Sequence, residues 1–260
     1  VKREIEQHSR EYPYDLVINL ECGRECDDFI KFVHHQEFCG RPLIEPQHQP
    51  GRHCVDTEKS IYSDLLGSRV TQAAETSLRL QLDSQVLPVP AESKYIVINP
   101  GFSGIQRPGY RSHRGWAQAH WQRLIELLNC SAGLSELIKG TADEQTHFEP
   151  LLALTGVYSL FGSSIPALAT ALSSARGLVT VDTGTMHLAT ALGTPVIALF
   201  GPSDPGLTGP YGKKLPHSVI VSGVDCQPCV KTPAQKKCTF NRCMSEIKPE
   251  QVFESCQQLA

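Results

Sequence analysis

No run of apolar residues in this 260-residue sequence comes near the ~20 needed to cross a bilayer. The opening stretch VKREIEQHSREYPYD has no apolar core of the kind a secretory leader carries. The chain also starts on Val1 rather than methionine, so its beginning is expected to lie inside a longer protein. An excess of positive charge is missing as well. The formal net charge is −3, which gives no reason to expect nucleic acid as a partner. Hydrophobic residues make up 40% and charged residues 20%, the usage of an ordinary globular chain long enough for one large domain or two modest ones. Cysteine, by contrast, is abundant at ten residues.

One stretch organises the rest: Gly177 to Pro205, GLVTVDTGTMHLATALGTPVIALFGPSDP. Leu178 to Val181 is a short β-branched apolar run and reads as a buried strand. Asp182-Thr183-Gly184 is helix-start chemistry. Leu188, Ala191 and Leu192 then recur at helical spacing until Gly193 and Pro195 stop the helix. Val196 to Phe200 is a second apolar strand, followed by the loop Gly201 to Pro205. Such a strand–helix–strand unit builds parallel sheets.

The turn at Asp182 is suited to an anion. The amides of a helix start point outward, and the helix dipole adds partial positive charge. Gly184 lets a phosphate approach the backbone. Thr183 and Thr185 supply hydroxyls, and His187 in the first turn is a further donor. On the residues alone two readings stay open: an anion site, or Asp182 as a plain helix cap with His187 an ordinary surface histidine.

Upstream, Asp15 to Leu20 is a strand candidate, Cys22 to His35 a helix candidate and Gly40 to Gly51 a loop. The run after His53-Cys54-Val55-Asp56, with Tyr62, Leu65 and Leu66, reads as an amphipathic helix. Gln81 to Ser93, with Pro88 and Pro90, reads as the interdomain linker. A second alternation of strands and helices begins at Tyr95-Ile96-Val97-Ile98-Asn99. Trp121, Leu124, Ile125 and Leu128 mark its first helix. Leu134 to Ile138 and Val157 to Ser159 are further strands. Ser163 or Ser164 caps a helix whose buried stripe is Ile165, Leu168, Ala169 and Leu172. The repetition predicts a doubly wound parallel sheet with ligand at the carboxyl ends of its strands. Between Asn99 and Arg123 stand four arginines (Arg107, Arg111, Arg114, Arg123) and no acid, a local balance of +4 that also points to an anion.

The run D-T-G-x-x-H-L-A-x-A-L-G-x-P-x-x-x-L-F-G-P-x-x-P, from Asp182 to Pro205, resembles the signature of the bacterial heptosyltransferases, glycosyltransferase family 9. The resemblance implies an α/β fold of two Rossmann-like domains, GT-B type. Residues 1–87 would form an acceptor-side domain incomplete at its start, and residues 88–260 the nucleotide-sugar-binding domain. It implies inverting, metal-independent transfer of heptose from an ADP-sugar donor to a lipopolysaccharide-core or other glycan acceptor. No cofactor is required on this reading. The alternative is a noncatalytic nucleotide-sugar-binding remnant. Asp182, Thr183, Gly184 and His187 would line the donor site, and Met186 would lie near the adenosine end. Ser103 and Arg114 would meet the phosphates, Arg114 standing two before Trp116 at the family's basic position. Glu144 fits the glutamate that meets donor hydroxyls, with Asp143 second. The family's catalytic base lies in an N-terminal glycine–aspartate loop. No such loop is present here, so the base is expected upstream of Val1. The resemblance also implies a cytoplasmic protein.

Cys226, Cys229, Cys238 and Cys243 form a CxxC followed by two further cysteines, a spacing from which four thiolates could surround zinc or iron. The second half is not a CxxC, so reduced or disulfide-paired cysteines are the other reading. The surrounding segment, Lys213 to Arg242, carries six Lys or Arg and one Asp. It is a solvated face, or it meets an anionic acceptor or makes a peripheral contact with lipid of the inner membrane.

Overall fold

The computed structural model describes residues 2–19, 28–39, 51–67, 86–90, 92–102, 104–105, 113–131, 134–212 and 216–259. The chain divides into two units, Val1–Thr76 and Ser77–Ala260. The linker expectation put the division at 87/88. Leu87 and Val89 instead pack against the core of the second unit, so apolar burial claims them for it.

In the first unit, α1 (Lys2–Glu11) leads into β1 (Tyr14–Ile18), which pairs in parallel with β2 (His35–Cys39). β1 corresponds to the strand expected from Asp15, but its side chains are exposed to half-buried rather than sealed. β2, His-Gln-Glu-Phe-Cys, occupies the place where a helix was expected to end, and its polar composition hid it. The first part of that helix expectation lies outside the described residues. α2 (Cys54–Leu66) is the expected amphipathic helix, and His53 Nδ1 caps it by accepting from the Val55 amide at 3.2 Å.

The second unit is the doubly wound sheet. Its strands are β3 (Tyr95–Asn99), β4 (Ser135–Ile138), β5 (Val157–Ser159), β6 (Leu178–Val181), β7 (Val196–Phe200) and β8 (Ser218–Val221). All six are parallel, in the order β5-β4-β3-β6-β7-β8. The major helices are α3 (Gln118–Ser131), α4 (Ile165–Ser174), α5 (Gly184–Leu192) and α6 (Pro249–Gln257).

Strand alternation divides the core in two. Ile96, Ile98, Val179, Val181, Ile197 and Leu199 face one side, beneath Trp121, Leu124, Ile125 and Leu128 of α3 and Val252 and Cys256 of α6. Val97, Leu137, Leu178, Val196, Ala198 and Phe200 face the other, beneath Leu168 and Leu172 of α4 and Met186 and Ala189 of α5. Ile165 is a correction to the expected stripe. It stands at the first position of α4, before the helix has reached the sheet, and is 70% exposed. Ser164 is the cap, accepting from the Ala167 amide at 3.3 Å. α5 ends at Gly193 with φ 82, a left-handed geometry that glycine adopts without Cβ strain.

From β3 the chain winds out to the β5 edge, then returns to lay β6 beside β3 and winds to the β8 edge. The loops after β3 and β6 therefore leave toward opposite faces and open a crevice between them, which is where open α/β sheets bind ligands.

Candidate donor-binding cleft

The register of β3 on β6 sets the floor of this crevice. Asn99 lies opposite Thr180. Its Nδ2 donates to Thr180 Oγ1 at 3.0 Å and to Thr183 Oγ1 at 2.9 Å. A polar residue ending a wholly buried strand is thus used to tie down the loop that starts α5. Asn99→Ala would leave both hydroxyls without this donor. The expected cost is about 1–3 kcal/mol of unfolding free energy, read by urea denaturation.

Asp182 is buried. Its Oδ2 accepts from Ser203 Oγ at 2.6 Å and lies 3.5 Å from Arg114 Nε. Arg114 Nη1 also donates to the Asp182 carbonyl at 3.4 Å. The carboxylate is therefore engaged by Ser203 and Arg114, while Thr183, in an extended conformation, is the cap residue of α5. Asp182 holds Arg114 beside the turn, and Gly184 and Thr185 at the start of α5 line the crevice.

Above this floor lies a cleft of ≈ 430 Å³ lined by Asn99, Gly101, Lys139, Glu144, Thr183, Gly184 and Thr185, among others. A Cβ built on Gly184 would meet nothing within 4 Å, so the helix start is open to a ligand. Glu144 is buried on a 3-10 turn, Ala142–Phe148, and its Oε2 accepts from the Thr141 amide at 2.7 Å. The carboxylate packs against bare Gly101, where a Cβ would lie 2.7 Å from Oε1. A larger hollow of ≈ 530 Å³ shares Phe102 but is walled by Trp116, Phe148 and Phe240, with no Asp, Glu, Lys or Arg among its described lining. Its chemistry does not suit a phosphate.

The structure thus brings Thr183, Gly184 and Glu144 into one cleft, with Asp182 and Arg114 paired beside it. His187 is exposed on the first turn of α5 and is not among the residues lining the cleft. Asp143 is in the lining. Met186 requires correction. It is fully buried against the sheet and offers no surface to a nucleotide, because the third helical position of α5 faces the core. Ser103, Arg107 and Arg111 lie outside the described residues. Asn99, Lys139 and Ser203 were not anticipated. The signal that would have found the first two is their place, at or just past the carboxyl end of an apolar strand bordering the crevice.

The structure gathers the cysteines of the cluster. Cys226, Cys229, Cys238 and Cys243 lie close enough to act on one another. Burial, helped by the neighbouring thiols, raises the pKa of Cys229 and pushes that of Cys243 up to about 11. Cys238 Sγ donates to the Phe240 carbonyl at 3.2 Å and Cys243 Sγ to Asn241 Oδ1 at 3.1 Å. Among the described residues no group of three or more His, Cys, Asp or Glu side chains is placed to hold a metal ion. Local acceptors hold these two thiols.

The profile of glycosyltransferase family 9 (heptosyltransferase) matches residues 29–239. The chain belongs to this family. As a family 9 glycosyltransferase it is 28% identical over 270 residues to lipopolysaccharide heptosyltransferase 1 of Pseudomonas aeruginosa, covering 96% of this chain and 71% of that protein. With lipopolysaccharide heptosyltransferase 1 of Escherichia coli it shares 38% identity over 104 residues, 40% of this chain and 33% of the relative. Among solved structures, a family 9 glycosyltransferase from Veillonella parvula superposes with a TM-score of 0.73 at 17% identity, covering 99% of this chain and 77% of that one. The E. coli heptosyltransferase WaaC with ADP gives 0.66 at 20%, covering 100% and 77%. These likenesses establish the α/β fold of the family 9 enzyme. Among its described residues no helix is long and apolar enough to cross a membrane.

Proposed function

We propose that this family 9 glycosyltransferase moves heptose from ADP-heptose to a lipopolysaccharide-core acceptor, with inversion and without a metal ion. The observation that carries the reading is the open start of α5 at the β3/β6 crevice, with Arg114 held beside it by the buried Asp182. The donor diphosphate rests on the Thr183, Gly184 and Thr185 amides, and Glu144 receives donor hydroxyls from the far side of the cleft. In an inverting step the acceptor oxygen attacks the anomeric carbon from the face opposite the diphosphate. The carbon–oxygen bond to the diphosphate breaks, and its electron pair leaves with the nucleotide. Fixed dipoles and cations that meet this growing negative charge in a site shielded from water lower the barrier by several kcal/mol. The base that takes the acceptor proton is assigned to no residue of this chain. The cytoplasm supplies the nucleotide sugar on this reading, and the basic segment before Arg242 makes the peripheral contact with the inner membrane.

The test is calorimetric titration with ADP and ADP-heptose, paired with a transfer assay in chelator. The expected result is saturable binding of both nucleotides and transfer that survives metal removal. Absence of binding by a folded protein overturns the reading. Binding without transfer under any acceptor supports the donor-binding remnant instead.

A further inference from the structure

β4 runs Ser-Glu-Leu-Ile, and the next residue is a lysine. Leu137 and Ile138 are sealed in the two halves of the core. The Lys139 amide donates to the Ile98 carbonyl at 2.9 Å, which continues the ladder and pins the residue on the crest of the sheet. Its long side chain then crosses the crevice beyond β3, and Nζ donates to Thr185 Oγ1 at 3.3 Å on the first turn of α5. Arg114 reaches Asp182, just before the helix start, and Lys139 reaches Thr185, just after it. The two cations therefore bracket Thr183-Gly184 along the chain, at the open end of the helix.

Resting on the donor reading above, we infer that Lys139 is a second diphosphate-binding cation, closing on the nucleotide from the β4 side of the crevice. The charge count fits this role. A sugar nucleoside diphosphate carries two negative charges in its diester form, and a third develops as the glycosidic bond breaks. Two fixed cations and a helix start answer that charge without a divalent ion. The hydrogen-bond partner of the ammonium, a threonine hydroxyl, is neutral, so a phosphate oxygen offers it a stronger, charge-assisted bond. Burial lowers the Lys139 pKa, and the attraction of Glu144 partly opposes this. Asp143 and Glu144 are the acidic groups lining the same cleft. A phosphate placed on the ammonium raises the lysine pKa again, so ADP binding takes up protons at alkaline pH.

Titrations of the full chain with ADP, before and after Lys139→Met and Lys139→Arg, test the assignment. Lys139→Met keeps the length of the stem and removes the charge. It is expected to weaken ADP by about 10- to 100-fold, the loss of one charge-assisted hydrogen bond, with Lys139→Arg recovering most of it. Adenosine, measured by competition, should change by less than about 2-fold, since it carries no phosphate for the ammonium to meet. Wild-type titrations at alkaline pH in two buffers of different ionisation enthalpy should show proton uptake that grows as the pH rises, a readout that needs no variant. Wild-type ADP binding with no change on Lys139→Met overturns the Lys139 role alone. So does equal weakening of ADP and adenosine, or wild-type binding without proton uptake. Failure of the wild-type chain to bind ADP overturns the donor reading with it.

Discussion

Gly184→Val is expected to abolish ADP binding while the second unit stays folded. Gly184 opens α5 with no left-handed backbone requirement, and a Cβ there meets nothing within 4 Å. A β-carbon therefore fits the protein alone without a clash, and valine is a better helix former than the glycine it replaces. The space it fills is the space a phosphate needs to reach the Thr183, Gly184 and Thr185 amides. Losing that approach removes several charge-assisted hydrogen bonds at once, so affinity should fall by more than about 100-fold. Calorimetric titration and thermal melting on the same sample check the two halves of the statement. Retained affinity with an unchanged melting curve would put the anion elsewhere.

Glu136→Gln is expected to stabilise the protein in a pH-dependent manner. Glu136 lies within β4, 0% exposed, and neither carboxylate oxygen has a hydrogen-bond partner. Burial pushes its pKa from the usual 4.5 up to about 8. Below pH 4.5 the carboxyl is protonated in the folded and unfolded chain alike, and its ionisation costs the fold nothing. Between 4.5 and about 8 the unfolded chain ionises freely while the folded chain holds the proton, so stability falls with rising pH. The slope approaches about 1.4 kcal/mol per pH unit. Above about 8 both states are ionised, and the penalty is constant at its largest. Glutamine keeps the shape and never ionises. Wild type and variant should therefore unfold alike near the acid end and separate by on the order of 2–4 kcal/mol at the alkaline end. Urea unfolding of both proteins across that range measures the separation. A difference independent of pH would show that Glu136 is ionised and solvated in the folded state.

Gly184 and Glu136 differ in how far the sequence alone displays their roles. Gly184 stands in a local pattern of strand, turn, helix start and glycine stop, and every part of it from Leu178 to Phe200 is an element of the fold. The same held for the stripe of α3 and for the parallel sheet, because apolar periodicity is a local property that burial then satisfies. β2 escaped notice because a polar strand has no such periodicity, and Ile165 was misplaced because helical spacing does not say where a helix first meets its sheet. Met186 was placed at the ligand by analogy of position, whereas its direction on the helix sends it into the core.

The sequence by itself determined the family, the doubly wound sheet and the anion-accepting helix start, since each is written in short-range spacing of glycine, proline and apolar residues. Only the tertiary structure decided that Arg114 and Ser203 hold Asp182, that Asn99 anchors Thr183, and that Lys139 reaches Thr185 across the crevice. These pairs are separated by 21 to 84 positions along the chain, and strand order and register, which no local pattern encodes, bring them together.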